Sequence, residues 1–428
     1  MDKSTNTQTH LSTHTFTLGN GLKIIVREDH RRPQVFSTVI YAVGDSHENC
    51  EDRGLSTLAF WSMLQNSAEQ KKILEGLGGQ IQNLNGPVAI NAITLPSANL
   101  QVAFEAHARL MTHTLTDSKM RESIENLILR RKKNARFVSA ISFSPELEAL
   151  IETGSSTYKP AVGFIEQLEQ LSLEKIRVWH QRWFGPNNAL LVVAGDVTAD
   201  KVKQLAEAYF GGIERGNVPD RPIVRGQQEP GYRQITQQMN IERPLMQIIF
   251  NTPSLATTTD VRSVRALEVL SALLSHCAPE SLRSTSKLPD TIFCSFPLDS
   301  RSNTRISFAY EFEGDAIEAE AGFWRLLDHV KYTLFSDEEI GRAVETLCKN
   351  ELVAYDTLQA QSMDLGWAVA QGTSIDTWEA KVEQLQDITA SDIQQAAQML
   401  LKRERASVGH MFPMKASSIS DSATDSVT

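Results

Sequence analysis

The chain has 428 residues, 41% hydrophobic and 22% charged, which are ordinary proportions for a folded globular protein. That length exceeds one compact core, so two or more domains are expected. A formal net charge of −10 speaks against broad nucleic-acid binding, and no apolar run is long enough to cross a bilayer.

The N-terminal residues hold no hydrophobic segment of the secretory kind, which makes the cytoplasm the default compartment. The four cysteines (Cys50, Cys277, Cys294, Cys348) fit no paired metal spacing and read as free thiols. Residues 1–14 are rich in Thr, Ser and Asn and read as a disordered tail. Thr15 to Leu18, the Gly19-Asn20-Gly21 turn and Leu22 to Val26 give a hairpin signal. A third strand is expected over Val35 to Val43. Next comes Gly54 to Ser67, where Leu55, Leu58, Ala59, Phe60, Trp61, Met63 and Leu64 leave almost no polar face. A helix apolar all round is buried on all sides.

A short helix over Lys71 to Leu77 stops at Gly78-Gly79, and Ile81 to Leu95 supplies strands interrupted near Gly86-Pro87. Amphipathic helices follow over Leu100 to Thr114 and Ser118 to Phe137, with a further helical piece over Glu146 to Gly154. The helix over Leu171 to Phe184 is capped by Ser172 and stopped by Gly185-Pro186. Ala189 to Ala194 is then a strand, and Lys201 to Phe210 a helix. The glycine- and proline-bearing stretch 211–232 reads as a linker.

Beyond the linker the pattern repeats. Arg32-Pro33 before a strand is echoed by Arg243-Pro244, and the buried helix by Val261 to Leu274. Leu171-Ser172 with Ile176 is echoed by Ile388-Thr389 with Ile393, each running into a closing strand. Two-fold repetition over half the length indicates a duplicated domain. The expected organisation is therefore 15–210, linker 211–232, 233–415, and a loose tail 416–428.

The strand, acidic loop and Gly-Leu-led buried helix resemble the pitrilysin/insulinase family of zinc peptidases, in particular its mitochondrial-processing-peptidase-like branch. The run Trp183-Phe184 through Pro186-Asn187-Asn188-Ala189 to Gly195-Asp196, followed by Tyr209-Phe210-Gly211, carries the resemblance most specifically. It covers about Phe16 to Pro413. It implies an α+β fold of two similar α/β-layered domains, each a mixed sheet with helices on one side, forming half of a clam-shell. Active relatives carry His-x-x-Glu-His on the first buried helix, two imidazoles for Zn²⁺ and a carboxylate that takes a proton from bound water. The matching positions here are Thr57, Phe60 and Trp61, none of which does that chemistry. The family's third ligand falls in the window Leu129 to Lys132, which reads Leu-Arg-Arg-Lys, so Arg130 marks its replacement by positive charge.

The resemblance thus implies a non-catalytic homologue with no metal or cofactor of its own, zinc being expected only in a homologous zinc-bearing partner subunit. That partner would share a peptide substrate with this chain, neither nucleic acid nor membrane being expected. The isolated chain is open to self-pairing as a homodimer, and the alternative role is a structural scaffold without a peptidase partner. Arg283, in a run resembling the family's substrate-facing arginine, is the candidate substrate contact. Family members place Gly-Gly-x-x-Asn-Ala at the edge strand that receives substrate. Here Gly78-Gly79-Gln80-Ile81-Gln82-Asn83 shifts the asparagine, and Pro87 is expected to disturb that edge. Neither His276-Cys277 with Cys294 nor His47 with Cys50 completes a ligand shell.

Overall fold

A computed structural model describes residues 12–49, 51–64, 68–134, 144–151, 165–220, 231–276, 292–298 and 300–414. In chain order the first elements are β1 (Thr13–Thr17), β2 (Lys23–Glu28), β3 (Gln34–Tyr41), α1 (Leu55–Leu64), α2 (Ala68–Gly76), β4 (Gln80–Asn85) and β5 (Ala89–Pro96). Helices α3 (Leu100–Met111), α4 (Asp117–Asn134), α5 (Pro145–Ile151), α6 (Ile165–Gln170) and α7 (Leu173–Trp183) follow, then β6 (Ala189–Gly195) and α8 (Ala199–Phe210). The second half holds β7 (Arg233–Met239), β8 (Leu245–Thr252), α9 (Val261–His276), β9 (Phe293–Ser295), β10 (Thr304–Glu311), α10 (Ala316–Tyr332) and α11 (Asp337–Tyr355). A π-helical turn (Ala360–Asp364) leads to α12 (Leu365–Gln371), α13 (Ile375–Glu379), α14 (Lys381–Gln386), α15 (Ala390–Leu400) and β11 (Ala406–Pro413).

Two mixed sheets result. The first has the order β1-β2-β6-β3-β5-β4 and the second β7-β11-β8-β10-β9. In each, one pair is parallel (β2 with β6, β7 with β11) and the remaining pairings are antiparallel. The duplication therefore extends to strand order. It also extends to capping: Ser172 accepts from Lys175 N–H and Thr389 from Asp392 N–H, each opening a helix that leads into the sheet's parallel strand.

The first compact unit comprises residues 1–131, 161–221 and 353–371. Alternate residues of its strands, Val35, Val39, Tyr41, Leu191 and Val193 among them, face a helix layer with Leu58, Phe60, Phe104, Ile176 and Phe210. The opposite face is covered by chain from the second half. Ser362 Oγ lies 2.7 Å from Thr38 Oγ1 and donates to Val192 O at 3.1 Å. Gly366 lies so close that an added Cβ would sit 2.4 Å from Ile40 Cδ1 and 2.9 Å from Val192 Cγ2.

The second unit comprises 132–160, 222–352 and 372–428, and it is built the same way. Met246, Ile248, Phe250, Phe308 and Val408 pack on α9, α10 and α15. Its other face takes α5 from the first half, where Leu147 and Ile151 meet Leu245, Ile249 and Met411. There a Cβ on Gly409 would fall 2.9 Å from Leu147 Cδ2. Each unit thus borrows a helical segment from the other half of the chain. A division at the linker alone, into 15–210 and 233–415, does not describe this exchange.

Three further expectations change. The strand β1 begins at Thr13, so the tail expected over 1–14 overlaps ordered chain, and the rest of it lies outside the described residues. Residues 211–220 are not free spacer: Ile213 and Val218 pack on the first core, and Asn187 exchanges two hydrogen bonds with the Gly216 backbone. Pro87 sits in the turn between β4 and β5, which leaves the edge strand β4 uninterrupted. The tail 416–428, Cys50, Cys277 and Arg283 lie outside the described residues.

Candidate functional site

The helix α1 is anchored by a buried carboxylate. Gly54 N–H and Ser56 N–H donate to the two oxygens of Glu48 at 3.0 and 2.7 Å, supplying the acceptors that a helix N-terminus lacks. Arg53 stands 3.5 Å from the same carboxylate and donates to Asp45 O at 3.0 Å. Burial pushes the Glu48 carboxyl up to about 7 against the pull of those donors. Sequence reading missed Glu48, because a buried glutamate in an acidic loop looks like any solvated one.

From that anchor α1 presents Thr57, Phe60 and Trp61. Thr57 is buried, and its Oγ1 accepts a 2.7 Å hydrogen bond from Asn85 Nδ2 at the end of β4. Phe60, 1% exposed, stacks on Phe184 with centroids 6.2 Å apart, and Phe184 in turn meets Tyr41 at 4.9 Å. Trp61 lies one helical turn beyond Thr57 on the same face. The Arg130 guanidinium of α4 sits over its ring, 4.6 Å from the centroid, in a cation–π contact. The structure thus brings Thr57, Trp61 and Arg130 together and places Phe60 in the aromatic core beside them.

These residues do not fit zinc. The Thr57 hydroxyl is engaged by an amide, Phe60 has no donor atom, and the Trp61 face is covered by a cation. Among the described residues, no group of three His, Cys, Asp or Glu side chains is arranged to hold a metal. Elsewhere, the His47 imidazole accepts from Gly44 N–H at 3.1 Å and packs edge-on against Trp183. Cys294 is unpaired, and burial raises its thiol to about 12, far from the reactive range.

Beside α1 runs a polar row that the sequence did not reveal. Asn83 Oδ1 accepts from Asn91 Nδ2 at 2.7 Å, and Asn91 Oδ1 lies 2.7 Å from His107 Nδ1. Ser37 Oγ is 3.2 Å from His107 Nε2, and burial holds this imidazole down at about 4, neutral. Asn83 and Asn85 are two residues apart on β4 and point to the helix layer, which strand periodicity alone could have indicated. Beyond β4, no strand pairs with its outer edge among the described residues.

Comparison with known proteins gives one consistent family. The family described as Peptidase M16 inactive domain matches residues 170–347. The "Zinc protease PqqE" of Helicobacter pylori is 25% identical over 236 residues, 51% of this chain and 51% of that protein, so the match spans about half the length of the curated relative. A solved protease from Helicobacter pylori superposes with a TM-score of 0.82 at 17% identity, over 94% of this chain and 100% of that one. The periplasmic protease PqqL of Escherichia coli gives 0.77 at 15% identity, over 95% of this chain and 49% of its own. At those identities the solved structures bear on the fold, and they share the two-sheet architecture described above. Among the described residues, no helix is long and apolar enough to cross a membrane.

Proposed function

We propose that this chain, which matches the family described as Peptidase M16 inactive domain over residues 170–347, is a non-catalytic subunit of a heterodimeric pitrilysin-like metallopeptidase. It completes the peptide-binding chamber of a homologous zinc-bearing subunit and stabilises that subunit. The observation that carries this reading is the refilled α1 site: an amide on Thr57, a ring stack on Phe60 and a guanidinium on Trp61. Each replaces a group that zinc hydrolysis needs with one engaged by its neighbours. The match to a family described as an inactive domain supports the same reading.

In this proposal the chain alone holds no zinc, cleaves no peptide, and works in the cytoplasm. Its substrate is an extended peptide shared with the partner. That PqqL is about twice this chain's length supports a second two-domain unit beside it, here supplied as a separate chain or as a second copy in the isolated state.

The test is co-expression with a homologue bearing intact His-x-x-Glu-His, followed by gel filtration and cleavage of an unstructured peptide. Co-elution, with activity well above that of the homologue alone, is expected. Separate elution with full activity in the homologue alone overturns the reading and puts the scaffold role in its place.

A further inference from the structure

We propose that the refilled site binds a carboxylate, that of an Asp or Glu side chain in an extended peptide laid along the free edge of β4. The inference rests on the reading above, and it gives the former metal position a recognition role.

Arg130 carries the argument. It is exposed, one face of its guanidinium rests on Trp61 at 4.6 Å, and no acidic side chain among the described residues pairs with it. A guanidinium held flat against an indole keeps its N–H fork free, and that fork matches a carboxylate in bidentate geometry. Holding the side chain in place beforehand lowers the ordering cost of binding.

The edge strand points to the rest of the ligand. Among the described residues, β4 pairs from Gln80 to Asn85 with β5 on one side only, and its outer edge offers backbone donors and acceptors for strand addition. Asn85 reaches Thr57, so the side chains of β4 that point like Asn85 meet α1. The Asn85 Oδ1 atom is buried and has no partner among the described residues, which offers one acceptor to an incoming donor. Trp61 is one turn from Thr57, and Arg130 covers Trp61, so the side chains form a continuous line from the strand edge to the cation.

Alternation selects the kind of carboxylate. In an added strand every second side chain points into the helix layer, where α1 and α4 lie, while the main chain stays in the plane of the sheet. A side-chain carboxylate therefore reaches Arg130 more directly than a chain terminus does. The outward-pointing Leu84, 48% exposed, offers an apolar contact on the opposite face of the edge.

The probe is a pair of ten-residue peptides of Thr, Val and Ser, acetylated and amidated, differing by one central Glu or Gln. Binding to the full chain is followed by fluorescence anisotropy. The Glu peptide is expected to bind roughly tenfold tighter than the Gln peptide. That preference should vanish in Arg130→Ala and partly survive in Arg130→Lys, both at an exposed position where folding is undisturbed. Equal binding of the two peptides, a preference that persists in Arg130→Ala, or binding of neither peptide overturns the carboxylate assignment. Tighter binding of a non-amidated Gln peptide than of the amidated Glu peptide overturns the choice of a side chain. All of these outcomes leave the accessory-subunit reading standing, since that one is decided by co-elution and activity with the zinc-bearing homologue.

Discussion

At the residue scale, Thr57, Phe60 and Trp61 are each engaged by a neighbouring side chain. Phe60 is the clearest case, since its ring is buried against Phe184. Phe60→Ala is expected to cost about 3–5 kcal/mol in denaturant unfolding. The triple substitution Thr57→His, Phe60→Glu, Trp61→His is expected to lower the melting temperature and confer no peptidase activity, because it also buries a carboxylate and leaves Arg130 beside the new ligands. A metal-dependent rise in melting temperature with activity would contradict that.

Two buried groups make opposite pH predictions. His107 is held at about 4, below its ordinary 6.5, so the unfolded chain binds the proton more readily. Its contribution is full above 6.5 and is lost as pH falls toward 4, on the order of 3 kcal/mol. Glu48 is raised to about 7 from 4.5, so its contribution is full below 4.5 and is lost as pH rises through 7. Urea unfolding across pH 4–8 should lose its acid-side slope in part in His107→Gln and its neutral-side slope in Glu48→Gln. Unchanged slopes would refute both assignments. Thr57, Phe60 and Trp61 were singled out because a motif fixes their spacing, and Arg130 only to within a window of four. The stacking of Arg130 on Trp61 was not legible, since it joins helices 69 positions apart in the chain and depends on how they pack.

At the element scale, turn and cap chemistry read correctly from local residues. The Asn20 side chain accepts from Leu22 N–H and donates to Phe210 O, locking the β1–β2 turn. Pro87 misled because strand boundaries are blurred where two strands meet at a tight turn, and it lies just past Asn85. Glycines separate two further cases. Gly366→Leu should destabilise by about 1–3 kcal/mol, because its side chain would have to displace Ile40 and Val192. Gly341→Ala, in α11 with nothing within 4 Å of the added atom, should stabilise by up to about 1 kcal/mol. Thermal melts of the two variants check the contrast, and equal effects would remove the close-packing argument for Gly366.

At the scale of the whole molecule, the repeat announced a duplication, and the two sheets have matching strand orders. The exchange of segments between halves was not legible, because an amphipathic helix shows an apolar stripe and not which sheet will cover it. Residues 353–371 belong to the first unit and 132–160 to the second, so neither half of the chain carries a complete unit. Expressed alone, residues 1–220 are expected to be insoluble or molten, whereas co-expression with 221–428 should restore a folded pair with one cooperative transition. A well-folded isolated half would contradict the exchange.

The central claim is that catalysis, and the zinc it needs, reside on another chain. Native mass spectrometry of the co-expressed pair with a zinc-bearing homologue tests it most directly. The account predicts a one-to-one complex containing a single zinc ion, which stays with the homologue when the two chains are separated. Zinc retained by this chain, or two chains that never associate, would contradict it.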